Sequence, residues 1–264
     1  MGIEFPDISP IIFSIGPVAI RWYSMAYLVG IVSAWVLVNR DIERYGLRFQ
    51  KKDIEDLAFY GTLGVILGGR IGYVLFYGQE EFFDNPLQIF AIWNGGMSFH
   101  GGILGVLLAI YLFSRKVKRG FFEVSDMMVP YVPIGIFLGR LANFVNDELW
   151  GRVTTVSWAV RFPSGGYLPR HPSQLYEALL EGLLMFVILN ILWRNKAIRN
   201  KMGTLSGAFA VLYGVFRMSM EQFREPDAHM GFYFGSITMG QMLSLPLIFV
   251  GLYVMIRPWW SRSA

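Results

Sequence analysis

The chain has 264 residues, of which 54% are hydrophobic and 16% charged, with a formal net charge of +4 and no cysteine. A soluble domain of this size carries about 25% charged residues, so lipid is the expected solvent for most of its length. Disulfides, thiolate metal sites and a cysteine nucleophile of the protein's own are excluded, and His100, His171 and His229 are too scattered for a zinc-binding spacing. The expected fold is an all-α polytopic membrane protein, a single membrane-embedded domain over residues 1–264.

The first residues, Met1 to Asp7, lack the basic region of a cleavable signal peptide, so the first apolar segment is expected to stay attached. A spanning helix needs roughly 20 mostly apolar residues. Seven segments qualify in chain order: Val18–Val38, Leu57–Tyr77, Met97–Phe113, Met127–Leu141, Leu175–Trp193, Leu205–Met220 and Ile237–Ile256. The fourth is short and holds Pro130 and Pro133, which free backbone carbonyls and place it inside the bundle. Gly64, Gly68 and Gly72, and likewise Gly101 and Gly105, recur at a four-residue spacing that lets helix backbones approach closely.

Loop charge predicts the orientation. Arg40, Arg44, Arg48, Lys51 and Lys52 follow the first span; Arg115, Lys116, Lys118 and Arg119 follow the third. Arg194, Lys196, Arg199 and Lys201 follow the fifth, and Arg257 and Arg262 the seventh, whereas Glu80, Glu81 and Asp84 follow the second. The positive-inside rule then puts the N-terminus outside and the C-terminus in the cytoplasm. A small polar segment, about residues 143–173, falls on the extracytoplasmic side. Trp22, Trp93, Trp150, Trp193 and Trp259 near span ends fit an interfacial aromatic belt.

On this topology the polar residues within the spans gather toward the outer side. Arg70 lies seven residues before the end of the second span, roughly 10 Å deep at 1.5 Å per residue. Arg140 and Arg217 sit at or near the outer ends of the fourth and sixth spans. Tyr23, His100, Tyr176 and Glu177 lie at the outer starts of theirs. Planar guanidinium matches phosphate bidentately, so this cluster reads as a site for an anionic headgroup. Ionisable groups at membrane depth are costly and mark function by default. For Arg21 and Arg70 taken singly, snorkelling or a structural ion pair explains the residue as well. Tyr213, Arg217, Glu221 and Arg224 share a helix face, with Glu221 placed to orient one arginine and leave another cation free. Glu177 and Glu181 are one turn apart, and burial would make them neutral hydrogen-bonding groups. Arg170 to Glu177 forms a polar start to the fifth span that a Pro-bearing helix cap would also explain. An anionic-solute transporter should show inverted repeats and a midplane site, and neither is evident. An intramembrane hydrolase should show a Ser–His pair or paired aspartates; Ser173 near His171 is not such a pair, and no Gly-x-Ser-x-Gly elbow occurs.

The stretch from Gly139 to Gly151, GRLANFVNDELWG, closely resembles the hallmark motif of the bacterial prolipoprotein diacylglyceryl transferases. The resemblance runs in order through Phe13 to Pro17, Trp22-Tyr23, Gly68 to Tyr73, His100 to Gly102, His171 to Glu177, Tyr213 to Arg217 and Phe223 to Asp227. The segment between Gly151 and Arg170 is shorter than in longer members. The resemblance implies transfer of the diacylglyceryl group of phosphatidylglycerol to the lipobox cysteine of a prolipoprotein signal peptide. A thioether forms and glycerol phosphate leaves, at the extracytoplasmic face of the bacterial inner membrane. It implies Arg140, Arg217 and His100 as catalytic residues, with His100 a base or headgroup ligand. Tyr23, Arg70, Asn143, Asn146, Glu148, Gly151, Tyr213, Glu221 and Arg224 are the implied substrate-binding set, Asn143, Asn146 and Glu148 meeting headgroup hydroxyls or fixing Arg140. The expected partners are phosphatidylglycerol, the lipobox peptide and membrane lipid, with no nucleic acid, metal or cofactor.

Overall fold

The computed structural model describes residues 2–16, 18–78, 96–225 and 238–260. Glu80, Glu81, Asp84, Trp93, His229, Ile237, Arg262 and the Pro226-Asp227 end of the resemblance lie outside them. Helices dominate the described residues: α1 (Trp22–Tyr45), α2 (Lys51–Phe76), α3 (Phe99–Lys116), α4 (Phe121–Met128), α5 (Val132–Val145), α6 (Ser173–Arg194), α7 (Lys196–Arg199), α8 (Thr204–Met220) and α9 (Met239–Trp260). The all-α expectation is corrected by five short strands, β1 (Ile3–Glu4), β2 (Ile11–Ile15), β3 (Val18–Arg21), β4 (Val160–Arg161) and β5 (Pro169–Arg170).

Every predicted span finds a helix, but the boundaries move. The first loses Val18–Arg21, which pairs antiparallel with β2 in a hairpin turning at Gly16. Several helices outrun their apolar windows, so Arg40, Arg44, Lys51 and Lys52 are helical rather than loop residues. The α2 start is fixed by Asp53, whose carboxylate accepts the Gln50 N–H at 2.7 Å, a local cap that apolarity does not report. The proline-bearing span is broken into α4 and α5 with a 50° bend between them. Among the described residues four helices are long and apolar enough to cross a membrane, or five when that bent pair counts as one span. α3 carries His100, Arg115 and Lys116 within its 18 residues, and α8 has only 17.

The chain forms two compact units, Met1–Ala34 with Asp126–Ala264, and Trp35–Ser125. In the second, α2 and α3 pack closely through their glycines. A Cβ on Gly64 would lie 2.5 Å from the Gly105 carbonyl oxygen, and one on Gly72 would lie 2.8 Å from Gly101 Cα. Only glycine permits this approach, as its spacing in the sequence suggests. The N-cap of α3 is Ser98, whose hydroxyl accepts from Gly101 N–H.

In the first unit α5 packs along α6, and α8 along α9. Asp126 of α4 is buried and accepts from Gly203 N–H at 2.6 Å and Ser206 N–H at 2.8 Å, serving the orphan donors at the start of α8 from a neighbouring helix. The polar segment is tied down by a three-stranded sheet of order β1-β4-β5, in which Ile3 pairs in parallel with Val160. Phe5, Phe144 and Phe162 cluster with ring centroids 5.4–5.8 Å apart.

Hydrophobicity is arranged as lipid solvation demands. Leu28, Val32 and Val36 of α1, Leu63 and Leu67 of α2, and Phe249 and Val250 of α9 point outward. Arg70, Asp126, Glu177, Glu181 and Glu221 are buried. Buried charges survive only when paired, and the pairing defines the site.

Candidate active site

The site is assembled in the first unit from the C-terminal half of α5, the start of α6 and the end of α8. Arg140 of α5 sends Nη1 to Glu177 Oε2 at 2.9 Å and Nη2 to Glu181 Oε2 at 2.9 Å. Arg217 of α8 reaches the same Glu177 oxygen at 3.5 Å, and its Nη2 pairs with Glu221 Oε1. Arg224, beyond the end of α8, lies 4.0 Å from that oxygen. One carboxylate oxygen therefore faces three guanidiniums. Both Glu177 and Glu181 are 0% exposed, and the Oε1 of each has no hydrogen-bond partner among the described residues.

Local geometry explains how two carboxylates of α6 meet one arginine. The helix widens into a π-turn at Ala178–Leu184, directly after Glu177 and through Glu181. Such turns alter the angular offset between side chains and recur at functional sites. The expectation that Glu221 would leave a cation free is corrected: Glu177 faces Arg140, Arg217 and Arg224 together. Arg224 is also not on the helix itself, since α8 ends at Met220 and the chain turns through Glu221–Phe223.

Past Val145 the motif leaves the helix and folds into a bracket. Asn143 Nδ2 donates to Glu148 Oε1 at 2.8 Å and Asn146 Nδ2 donates to the same oxygen at 3.3 Å. Glu148 thus fixes the two asparagines, not Arg140, among the described contacts. Asp147 and Leu149 take φ of 55° and 58°, conformations that a leucine adopts only under constraint. The constraint comes from the first turn of α6: Ser173 Oγ donates to the Leu149 carbonyl at 3.0 Å, and Gln174 Nε2 to the Glu148 carbonyl at 2.7 Å. Gly151 is a crossing point of strands. Its N–H donates to the His171 carbonyl, it bridges to Arg224, and a Cβ there would lie 2.5 Å from the Phe223 carbonyl oxygen. Its requirement is close backbone approach. Arg152 braces the same junction, donating through Nε to the Arg224 carbonyl at 2.9 Å. Arg170 stacks 3.9 Å over Trp150 and pairs with Glu225. His171, just outside α6, has its pKa lowered by burial and lies 3.2 Å from the Tyr176 hydroxyl.

Tyr213 lies one turn before Arg217 and stacks on Phe209 at 6.2 Å. Tyr23 is half-buried at the start of α1, its ring 5.4 Å from that of Tyr27. Arg70 and His100 belong to the second unit: Arg70 is buried, donates to the Gly96 carbonyl and lies 5.5 Å from the Tyr73 ring, while His100 is exposed at the start of α3. Among the described residues no group of three or more His, Asp or Glu side chains is placed to hold a metal ion. Glu177, Glu181, Ser173, Gln174 and Arg152 are site residues that the sequence-based set leaves out. For the two glutamates the signal was present: acids in an apolar helix require cations.

What the arrangement offers chemically is a water-poor array of guanidiniums whose orientation is set by carboxylates before any ligand arrives. The family model for prolipoprotein diacylglyceryl transferases matches residues 10–257. A phosphatidylglycerol–prolipoprotein diacylglyceryl transferase of Vibrio parahaemolyticus is 52% identical over 254 residues, covering 96% of this chain and 92% of the relative. One from Pasteurella multocida is 52% identical over 262 residues, 98% of this chain and 96% of the relative. One from Rickettsia felis is 49% identical over 253 residues, 96% and 98% respectively. A match along nearly the whole length, joined to a buried arginine array built around the Gly139–Gly151 motif, establishes that this chain belongs to the prolipoprotein diacylglyceryl transferase family.

Proposed function

We propose that the protein transfers the diacylglyceryl group of phosphatidylglycerol to the cysteine thiol of a prolipoprotein lipobox, at the extracytoplasmic side of the inner membrane. The observation that carries this reading is the convergence of Arg140, Arg217 and Arg224 on one buried carboxylate oxygen. A guanidinium has five N–H donors, and the two that Arg140 directs to Glu177 and Glu181 leave others for a phosphate oxygen. Arg140 and Arg217 neutralise the charge that grows on the departing phosphate, a stabilisation that is strong where water is excluded. The nucleophile is the substrate's sulfur, since the chain has no cysteine. Asn143, Asn146 and Glu148 meet the glycerol headgroup, Gly151 and Arg224 hold the floor of the site, and Tyr213 and Glu221 orient Arg217. Tyr23 bounds the lipid pocket, and on the second unit Arg70 is read by itself as a substrate ligand and His100 as a base or headgroup ligand.

The test is direct. Purified protein incubated with phosphatidylglycerol and a lipobox peptide should give a peptide heavier by one diacylglyceryl group, together with glycerol phosphate. A peptide with alanine for the lipobox cysteine should stay unmodified. Absence of the adduct with the cysteine peptide overturns the reading.

Seven spans with the N-terminus outside complete the proposal. Because no native cysteine is present, a single introduced one reports its own side of the membrane. Ser164→Cys, on the polar segment, should react with an impermeant thiol reagent in spheroplasts. Gln50→Cys, beside Arg48, Lys51 and Lys52, should react only after lysis. The reverse pattern overturns the orientation.

A further inference from the structure

Glu177 and Glu181 are neighbours on α6, equally buried, yet their electrostatic surroundings differ. Glu177 Oε2 faces Arg140 at 2.9 Å, Arg217 at 3.5 Å and Arg224 at 4.0 Å. Glu181 Oε2 has one guanidinium within ion-pair distance, Arg140 at 2.9 Å, and shares it with Glu177. The ionisable side chains facing Glu181 are Arg140 on α5, Arg217 and Tyr213 on α8, and Glu177 on its own helix. Its Oε1 is buried and without a hydrogen-bond partner among the described residues.

Two adjacent carboxylates in low dielectric take different roles when their surroundings differ. Three guanidiniums around one oxygen commit Glu177 to holding them together, since without that carboxylate they would face one another. Glu181 has one shared cation and a negative neighbour. Its open oxygen can take a proton without breaking any contact the carboxylate makes. The π-turn that brings Glu181 to Arg140 is a second, independent mark of a functional position.

Resting on the transfer reaction proposed above, we propose that Glu181 accepts the proton of the substrate thiol, while Glu177 is the positioning residue for Arg140 and Arg217. The S–H bond breaks and its proton passes to Glu181 Oε1. The sulfur electron pair forms the bond to the glyceryl carbon, the C–O bond to phosphate breaks, and that pair remains on the phosphate oxygen. The proton then moves from Glu181 to the departing glycerol phosphate, which restores the carboxylate. Atoms and charge balance with no further reactant.

The experiment compares two lipobox peptides that differ only in carrying cysteine or selenocysteine. A selenol is already ionised at neutral pH and needs no acceptor. Wild type and the Glu181→Gln, Glu181→Asp and Glu177→Gln variants are assayed in detergent with phosphatidylglycerol, as rate per folded molecule. Glu181→Gln should lower the thiol rate by roughly 10²–10⁴ and the selenol rate by no more than about tenfold. Glu177→Gln, which disorders the arginines, should lower both rates alike. Glu181→Asp keeps a carboxylate and should show a selenol-to-thiol ratio between wild type and Glu181→Gln; if the glutamine variant fails to fold, this ratio decides alone. A ratio equal to wild type in either folded Glu181 variant overturns the proposal. Wild type that forms no adduct with either peptide overturns the transfer reading itself, a distinguishable failure.

Discussion

Replacing Arg140 with lysine is expected to lower turnover per folded molecule by roughly 10²–10³, the scale of losing one preorganised donor to a developing oxyanion. The reason lies in the fork. Arg140 spans Glu177 and Glu181 at 2.9 Å each, with one terminal nitrogen for each carboxylate. A lysine ammonium keeps the charge but is a single point on a flexible stem, so when it serves Glu177 it leaves Glu181, wholly buried, without its cation. Thermal stability in detergent should therefore fall as well, by less than for Arg140→Ala, where breaking a buried pair costs about 3–5 kcal/mol. The measurement is the rate of diacylglyceryl transfer alongside a melting curve for each variant. Near-native turnover in folded Arg140→Lys protein removes this residue from the catalytic set.

The second large effect is expected on stability, in the α2–α3 pair. Gly105→Val should cost roughly 1–3 kcal/mol of stability, the usual range for overpacking. Its Cβ would fall against the Gly64 carbonyl oxygen and 3.0 Å from Gly68 Cα. These are backbone atoms, so no rotamer change can relieve the contact and the helices must separate. Gly61→Ala on the same α2 is the control. Nothing lies within 4 Å of a Cβ there, and alanine in place of a helical glycine should raise stability by about 0.5–1 kcal/mol. Paired thermal denaturation in one detergent checks both signs; equal shifts would discard the close-packing account.

Much of the helical order was legible because lipid imposes a simple rule: long apolar runs become helices. Where the prediction shifted, a local interaction outweighed that rule. Asp53 lets α2 begin at Lys51, six residues before the apolar window opens, and the hairpin of Ile11–Ile15 with Val18–Arg21 competes for residues that apolarity alone assigns to the first span. At the site, the i, i+4 spacing of Arg217 and Glu221 is visible in one dimension and gives the pair observed. The partners of Arg140 are not visible in that way. They lie 37 and 41 positions away, on a helix whose face is set by a π-turn and whose proximity depends on how α5 packs. Gly151 shows the same limit, since only the fold brings His171 and Phe223 against it.

The parallel pairing of Ile3 with Val160 also orders events during biosynthesis. β1 emerges among the first residues, but its partner strand is made 157 positions later. At ~5–20 residues per second, the early strand waits about 8–30 s with its hydrogen-bonding edge unclaimed. The polar segment that brackets the site can close only after four of the seven predicted spans are made and the fifth begins, since Arg170 and the start of α6 lie beyond β4 and hold the segment's other edge. Assembly of the arginine array is thus a late step in the maturation of the protein, and a chain stalled before α6 would carry Arg140 into the bilayer with neither of its carboxylates yet made.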